Sequence, residues 1–313
     1  MIVSCKLNLY LILEQIIYQT FTPLIQTYCQ RTKIEDHLFT IVIPSWNNLG
    51  YLQLCIESIR KNSQYKHQIV VHLNEAKDGS LEWVKSQSDI DYTFSEKNIG
   101  ICYSLNAART IAKTNYFFYL NDDMYLCPKW DTILKQEIDL IGHDYFFLSG
   151  TLIEPSTNNP CAIQYDFGTS LSNFKEAELL EKFDSLVKSD WCGSTWPPNI
   201  VPIKLWDLIG GYSIEYSPGL YSDPDFSMKL WKAGVRYLKG VSQSRVYHFG
   251  STTLKRVRVN NGYKQFINKW GMTPSVLTKW MLHSGKEFNG PLKDFNLTGI
   301  MKWKQKIKKI LQG

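Results

Sequence analysis

Apolar and polar positions along the chain follow two alternating periods. FTIVIP (39–44), QIVVHL (68–73), DYTFSE (91–96) and NYFFYL (115–120) are short β-rich runs of strand length. Between them the apolar spacing becomes helical. Leu52, Cys55, Ile56 and Ile59 share one face of 49–62, Leu105, Ala108 and Ile111 or Ala112 share one face of 100–113, and GSLEWVKSQ makes a shorter helix. The unbroken apolar run in NYFFYL fits a strand buried on both sides. Strands alternating with helices at this spacing predict βαβ units. The expected fold class is α/β, with a mostly parallel central sheet flanked by helices.

The second half is less regular. PKWDTILKQEIDLIG reads as a helix, YFFLSG as a strand, residues 151–195 as loop-rich and 203–209 as a short helix. DPDFSMKLWKAG (223–234) has helix punctuation, with Asp223 at the N-cap, Pro224 in the first turn and Gly234 as the C-cap. VRYLKGV and SRVYHFG read as two further strands, and 255–284 as helical before a break at HSGKEFNGP. The expected organisation is a helical N-terminal extension (1–36), a central α/β domain (37–254) and a C-terminal helical region (255–313).

The stretch FFYLNDDMYL (117–126) places Asn121, Asp122 and Asp123 between apolar residues, where two carboxylates are costly to desolvate unless something neutralises them. They fall at the carboxyl end of the fourth strand, where open α/β sheets bind ligands. Paired carboxylates there suit a divalent cation shared with substrate phosphates; an Asx-turn or helix cap, with Pro128 and Trp130 opening a helix, is the competing account. A second acid cluster, Asp223 and Asp225, and His248 in YHFGSTT arrive from later segments and can converge on one metal and one base. Trp191 and Trp196 in WCGSTWPPN (191–199) offer either a stacking face for a sugar or loop packing.

Composition narrows the classes. Apolar residues at 44% and charged residues at 20% provide a sizeable core and argue against disorder. The seven cysteines are scattered, with no C-x-x-C, which speaks against a disulfide framework or zinc knuckle and for a reducing cytoplasm. Of the formal charge of +6, five units come from Lys302, Lys304, Lys306, Lys308 and Lys309 in the acid-free segment 299–313. The remainder is nearly neutral, so a globally basic nucleic-acid binder is not expected. IMKWKQKIKKIL spaces Ile300, Trp303, Ile307, Ile310 and Leu311 helically between those lysines. It reads as a basic amphipathic helix, either peripheral on an anionic membrane or docked with its lysines solvated. Residues 7–18 are apolar but too short to span a bilayer.

Five segments in order carry a family resemblance: VIPSWNN (42–48), LNEAKDGS (73–80), SEKNIGICYSLNAA (95–108), YLNDDM (119–124) and GGYSIEY…SDPDFSMKLWKAG (210–234). Over about 39–252 the chain resembles family 2 glycosyltransferases of GT-A fold. The resemblance implies inverting sugar transfer from a nucleoside-diphosphate sugar to a hydroxyl of a glycan or lipid-linked acceptor. Pro44, Ser45, Asn47, Asn74, Glu75, Asp78, Asn98, Gly100, Asn121 and Asp122 would then bind the nucleotide sugar. Asp123 and His248 would hold Mg2+ or Mn2+, Asp223 would be the general base, and Trp191, Trp196 and Asp225 are candidate acceptor contacts. The implied location is cytoplasmic, or peripheral on the cytoplasmic membrane face. Asn121 stands where the family's DxD motif begins with an acid, and Ser222 where its E-D pair begins with glutamate. Those replacements leave open a catalytically silent carbohydrate- or nucleotide-binding relative. A sugar-phosphate nucleotidyltransferase would want a Gly-rich basic loop after the first strand, where this chain has SWNNLGYLQ.

Overall fold

The four apolar runs between residues 39 and 120 pair side by side as the parallel half of one sheet. The computed structural model describes residues 25–28, 36–250 and 260–312. Among them the strands are β1 (Gln26–Tyr28), β2 (His37–Trp46), β3 (Lys66–Asn74), β4 (Ile90–Ser95), β5 (Tyr116–Tyr119), β6 (Met124–Leu126), β7 (Phe146–Glu154), β8 (Ile163–Gln164), β9 (Trp191–Cys192), β10 (Asn199–Pro202) and β11 (Tyr237–His248). They join in the order β1-β4-β3-β2-β5-β10-β7-β11-β6, with β8 beside β7 and β9 beside β11. β4, β3, β2 and β5 are mutually parallel, as are β7 and β11. The inserted β10 runs antiparallel to both β5 and β7.

The sheet buries both faces, which is why its strands lack a polar period. On one side Ile41, Ile43, Ile69, Val71 and Phe118 pack under α1 (Leu49–Asn62) and α4 (Trp130–Ile141). On the other, Val42, Val70, Phe117 and Tyr119 pack under α3 (Gly100–Arg109), α6 (Ile203–Ile209) and α7 (Ser222–Lys232). Trp130 is fully buried, with its ring 4.8 Å from that of Phe118 and 6.0 Å from that of Phe39. Each such side chain contributes about 1.5–3 kcal/mol through burial. The smaller helices α2 (Ser80–Ser86) and α5 (Glu176–Lys182) lie between strands, and α8 (Gly262–Trp270) and α9 (Gly299–Gln312) close the C-terminal region.

Several expectations change. α7 begins at Ser222 with Tyr221 at its N-cap, at φ 69°, so Asp223 lies inside the first turn rather than capping it. VRYLKGV and SRVYHFG are one strand, β11, whose pairing with β7 shifts between Val241 and Arg245. The loop-rich expectation for 151–195 misses the end of β7 and all of α5. Of the helical extension expected over 1–36, Gln26–Tyr28 is instead a strand antiparallel to β4; nearly all the rest lies outside the described residues, as does 255–259 of the helix expected over 255–284. Among the described residues no helix is long and apolar enough to cross a membrane.

Candidate active site

The parallel strands end on a cavity of about 880 Å³. Pro44, Ser45 and Trp46 reach it from β2, Asn74 from β3, and Asn121, Asp122 and Asp123 from the link between β5 and β6. Glu154 at the end of β7, Asp223 on α7 and His248 at the end of β11 complete the charged part of the lining. This placement is topological. In the β11–β6 ladder His248 stands opposite Met124 and the Phe249 amide donates to the Asp123 carbonyl at 3.2 Å, so the end of β11 is held against the acidic link.

Both acids of the N-D-D triplet are buried, and both have partners. The Ser45 hydroxyl donates to Asp122 Oδ2 at 2.8 Å. His248 Nε2 lies 3.4 Å from Asp123 Oδ2, and its Nδ1 lies 2.7 Å from Glu154 Oε1. Burial alone would favour a neutral ring, but Asp123 and Glu154 outweigh it and push the His248 pKa up to about 10. A local imidazolium, rather than a helix cap, therefore offsets the desolvation of Asp123. Glu154 was missed at the sequence level because it ends a strand whose carboxyl half read as loop.

Asp223 meets different surroundings. The Tyr212 hydroxyl donates to its Oδ1 at 2.8 Å. Burial pushes its pKa up to about 7, and the Tyr212 hydrogen bond holds it from rising further. α7 is pinned beneath it by Asp225, which is fully buried and accepts from the Ser213 hydroxyl at 2.6 Å and from Trp270 Nε1 at 2.8 Å, with Lys269 Nζ at 2.9 Å.

The "Glycosyl transferase family 2" model matches residues 40–185, the segment that carries β2 to β7 and the Asn121–Asp123 triplet. Residues 40–185 carry a family 2 glycosyltransferase domain. The chain is 22% identical over 270 residues to the hyaluronan synthase of Pasteurella multocida, a match covering 82% of this chain and 25% of the synthase. It is 22% identical over 249 residues to the chondroitin synthase of Pasteurella multocida (strain Pm70), covering 77% and 23%. The chain thus spans about a quarter of the length of these curated relatives. Among solved structures, S. aureus TarS 1-349 in complex with UDP-GlcNAc has the same fold at TM-score 0.56 and 13% identity, covering 88% of this chain and 72% of that one. GalNAc-T7 with UDP, GalNAc and Mn2+ gives TM-score 0.52 at 15% identity, covering 80% and 49%. The mixed sheet with its parallel centre is the GT-A architecture.

Within this glycosyltransferase domain, most of the residues singled out from sequence meet at the cavity, and some do not. Asn74 and Asn98 line it while bracing its wall: Asn74 Oδ1 accepts from the Ile99 amide at 2.9 Å, and Asn98 Oδ1 from the Gly100 amide at 2.9 Å. Gly100 sits at φ 75°, and a Cβ there would fall 2.5 Å from Pro218 Cα. Asn47, Glu75 and Asp78 form a cluster beside the cavity rather than part of its lining. Glu75 Oε2 accepts from Trp46 Nε1 at 3.1 Å and from Asn47 Nδ2 at 3.2 Å, and Asp78 Oδ2 accepts from the Leu49 amide at 2.7 Å. Glu75 therefore aims the Trp46 indole that does line the cavity. Asn47 and Glu75 hold φ of 47° and 59°, the kind of backbone strain that collects at binding sites.

Two acceptor candidates are corrected. Trp191 is 4% exposed, donates through Nε1 to Thr151 Oγ1 at 2.9 Å, and lies flat over Gly240, which has room for no side chain. It is packing. Asp225 faces the α7–α8 contact and not the cavity, because its oxygens are taken by Lys269, Trp270 and Ser213. Trp196 does line the cavity, together with Pro197 and Tyr221.

Among the described residues no group of three or more His, Cys, Asp or Glu is arranged to hold a metal by itself. Asp123 and His248 nevertheless fit a two-donor site for a cation that displaces the imidazole proton. A histidine whose second nitrogen is fixed by a carboxylate, as Glu154 fixes His248, is the usual arrangement of a ligating imidazole. A hard divalent cation with few protein ligands takes phosphate and water oxygens for the rest of its shell.

Proposed function

We propose that this protein transfers a sugar, with inversion, from a nucleoside-diphosphate sugar to a hydroxyl of a glycan or lipid-linked acceptor. The observation that carries the reading is one cavity holding two differently treated acids: Asp123 beside a histidine and Asp223 with its pKa pushed up to about 7. The nucleotide portion lies toward Pro44, Ser45, Asn74, Asn98 and Gly100, and the diphosphate toward Asn121, Asp122 and Asp123. The family match supports this orientation. Uridine is the first nucleotide to test, because three of the solved neighbours hold UDP or UDP-GlcNAc.

Asp223 is the general base. A carboxylate of pKa near 7 is half ionised at neutral pH and still basic enough to take a hydroxyl proton as the new bond forms. Tyr212 occupies Oδ1, which leaves Oδ2 for the acceptor. The acceptor oxygen forms its bond to the anomeric carbon, its proton passes to Asp223, and the bond to the phosphate oxygen breaks with its electron pair leaving on the nucleoside diphosphate. A bound Mg2+ or Mn2+, held by Asp123 and His248, would supply positive charge to that leaving group. Mn2+ in the GalNAc-T7 structure supports testing this ion. The Trp196 ring and the Tyr221 ring give the acceptor apolar walls of the kind sugars stack on. A cytoplasmic setting agrees with the five cysteines among the described residues, all buried and unpaired.

Calorimetry with UDP, GDP, CDP and dTDP, each with and without Mn2+, tests the reading on the wild type and on Asp123→Ala. One nucleotide binding only with metal, and lost in Asp123→Ala, is the expected result. Binding of no nucleotide under any condition would end the transferase reading. Nucleotide binding without any release of sugar, with or without acceptor, would favour the silent relative that Asn121 and Ser222 allow.

A further inference from the structure

The C-terminal helix α9 has two faces of opposite character. Its inward face carries Gln305, buried at 7%, whose Oε1 accepts from the Thr273 amide at 2.9 Å, and the partly buried Met301. At 3.6 residues per turn, Ile300, Trp303, Ile307 and Ile310 fall within an arc of about 80°, centred about 160° away from Met301 and Gln305. That apolar arc is turned outward: Ile300 is 71%, Trp303 64% and Ile310 70% exposed. Lys304 and Lys306 border the arc on its two sides, each about 40° beyond its edge. Both are exposed, as are Lys302, Lys308 and Lys309, and the helix bears no acid.

A helix that merely docked on the domain would turn its isoleucines and tryptophan inward and its lysines out. Here the docking contact is made by a glutamine, and of the apolar arc only Ile307 is partly buried, while Ile300, Trp303 and Ile310 are left in water. Three exposed apolar side chains on one stripe, rimmed by cations, match the interfacial layer of a membrane, where tryptophan and isoleucine enter the acyl boundary and lysine ammonium groups meet headgroup phosphates. We propose that α9 is an interfacial anchor that lays this protein on an anionic lipid surface. The uncompensated positive charge selects that surface over a neutral one. Gln305 ties α9 to Thr273, and Pro274, Ser275 and Thr278 directly after it line the cavity. The anchor is thus joined to one wall of the cleft, and the cleft is held at a fixed place relative to the lipid.

The test is co-sedimentation with vesicles of phosphatidylcholine alone and of phosphatidylcholine with about one third phosphatidylglycerol. Melting temperature and gel-filtration mass are measured in parallel. The wild type should pellet with the anionic vesicles and not the neutral ones, and high salt should release it. Ile300→Ser/Trp303→Ser/Ile310→Ser should abolish binding, and Lys304→Gln/Lys306→Gln should weaken it by about fivefold for each lysine removed. An unchanged melting temperature shows that the variants fold, so the result does not depend on nucleotide binding or on the catalytic reading. No binding by the wild type to either vesicle would overturn the proposal. So would equal binding by the Ile300/Trp303/Ile310 variant, or a wild-type dimer that this variant makes monomeric, which would assign the stripe to a second copy of the chain.

Discussion

Replacing Asp223 by Asn should abolish transfer while making the protein more stable at alkaline pH. The carboxyl is pushed from its ordinary 3.8 up to about 7 by burial, against a Tyr212 hydrogen bond that favours the ionised form. Because the folded-state pKa is raised, the native protein holds this proton more tightly than the unfolded chain does. The stabilising effect is complete below the unfolded value of 3.8 and is lost as pH rises through about 7. Above that pH the folded state carries a poorly solvated charge. About three pKa units correspond to at most about 4 kcal/mol, and water reaching the carboxylate through the cleft reduces this to about 1–3 kcal/mol. Asn keeps the shape, still accepts from Tyr212, and removes the charge. Urea denaturation should therefore show Asp223→Asn to be more stable than wild type by that amount at about pH 8, with the gain falling to about two fifths of that near pH 5 and vanishing below about pH 4. Transfer, followed as nucleoside diphosphate released in the presence of acceptor, should fall by about 10²–10⁴, with nucleotide affinity unchanged. In the wild type, turnover should rise with pH through about 7. A variant that is destabilised equally at both pH values would show that the carboxylate is structural, and a variant that still turns over would remove it from the chemistry.

Other residues at the site give separate tests. Tyr212→Phe removes the hydroxyl that restrains the Asp223 pKa, so the midpoint of the pH–rate profile should move above about 7, with activity recovering at higher pH; an unshifted midpoint would deny the coupling. Glu154→Gln removes the carboxylate on His248 Nδ1 and should weaken Mn2+-dependent nucleotide binding by about 10–100-fold in calorimetry, with metal-free folding retained. Gly100→Ala combines φ 75° with a Cβ placed 2.5 Å from Pro218 Cα; it should cost about 1–3 kcal/mol in urea denaturation and weaken nucleotide binding, because the 217–219 wall must retreat.

The sequence made the scaffold legible because each element is short and strongly periodic. The expected helices at 49–62 and 203–209 match α1 and α6 residue for residue, and the four parallel strands lie where their apolar runs placed them. What could not be read was partner choice. Asp223 and Asp225 are two residues apart in one helical turn, with the same side chain and the same helix punctuation. One meets a cleft and a tyrosine, the other a lysine, a tryptophan and a serine from elements far along the chain. Trp191 and Trp196 differ in the same way, through the empty space above Gly240 that only one of them fills. Glu154 ended a run that read as loop, and Tyr212, although inside the GGYSIEY segment, showed no sign of its role; each matters because another residue, His248 or Asp223, comes to it.

The neutralisation of the buried acids also explains how one cavity can hold two carboxylates in different roles. Asp123 lies beside a histidine that is cationic near neutral pH, because Glu154 supports the same ring from behind. Asp223 is governed by burial, against which the Tyr212 hydroxyl is its restraining donor. An acid beside a cation can be exchanged into metal or phosphate binding when substrate arrives, while an acid poised near neutrality can accept a proton during the reaction. Environments that push two like groups apart are how a site assigns binding to one and proton transfer to the other. Here the assignment follows from strand register, which brings His248 beside Asp123, and from the single turn of α7, which gives Tyr212 to Asp223 and Lys269 to Asp225.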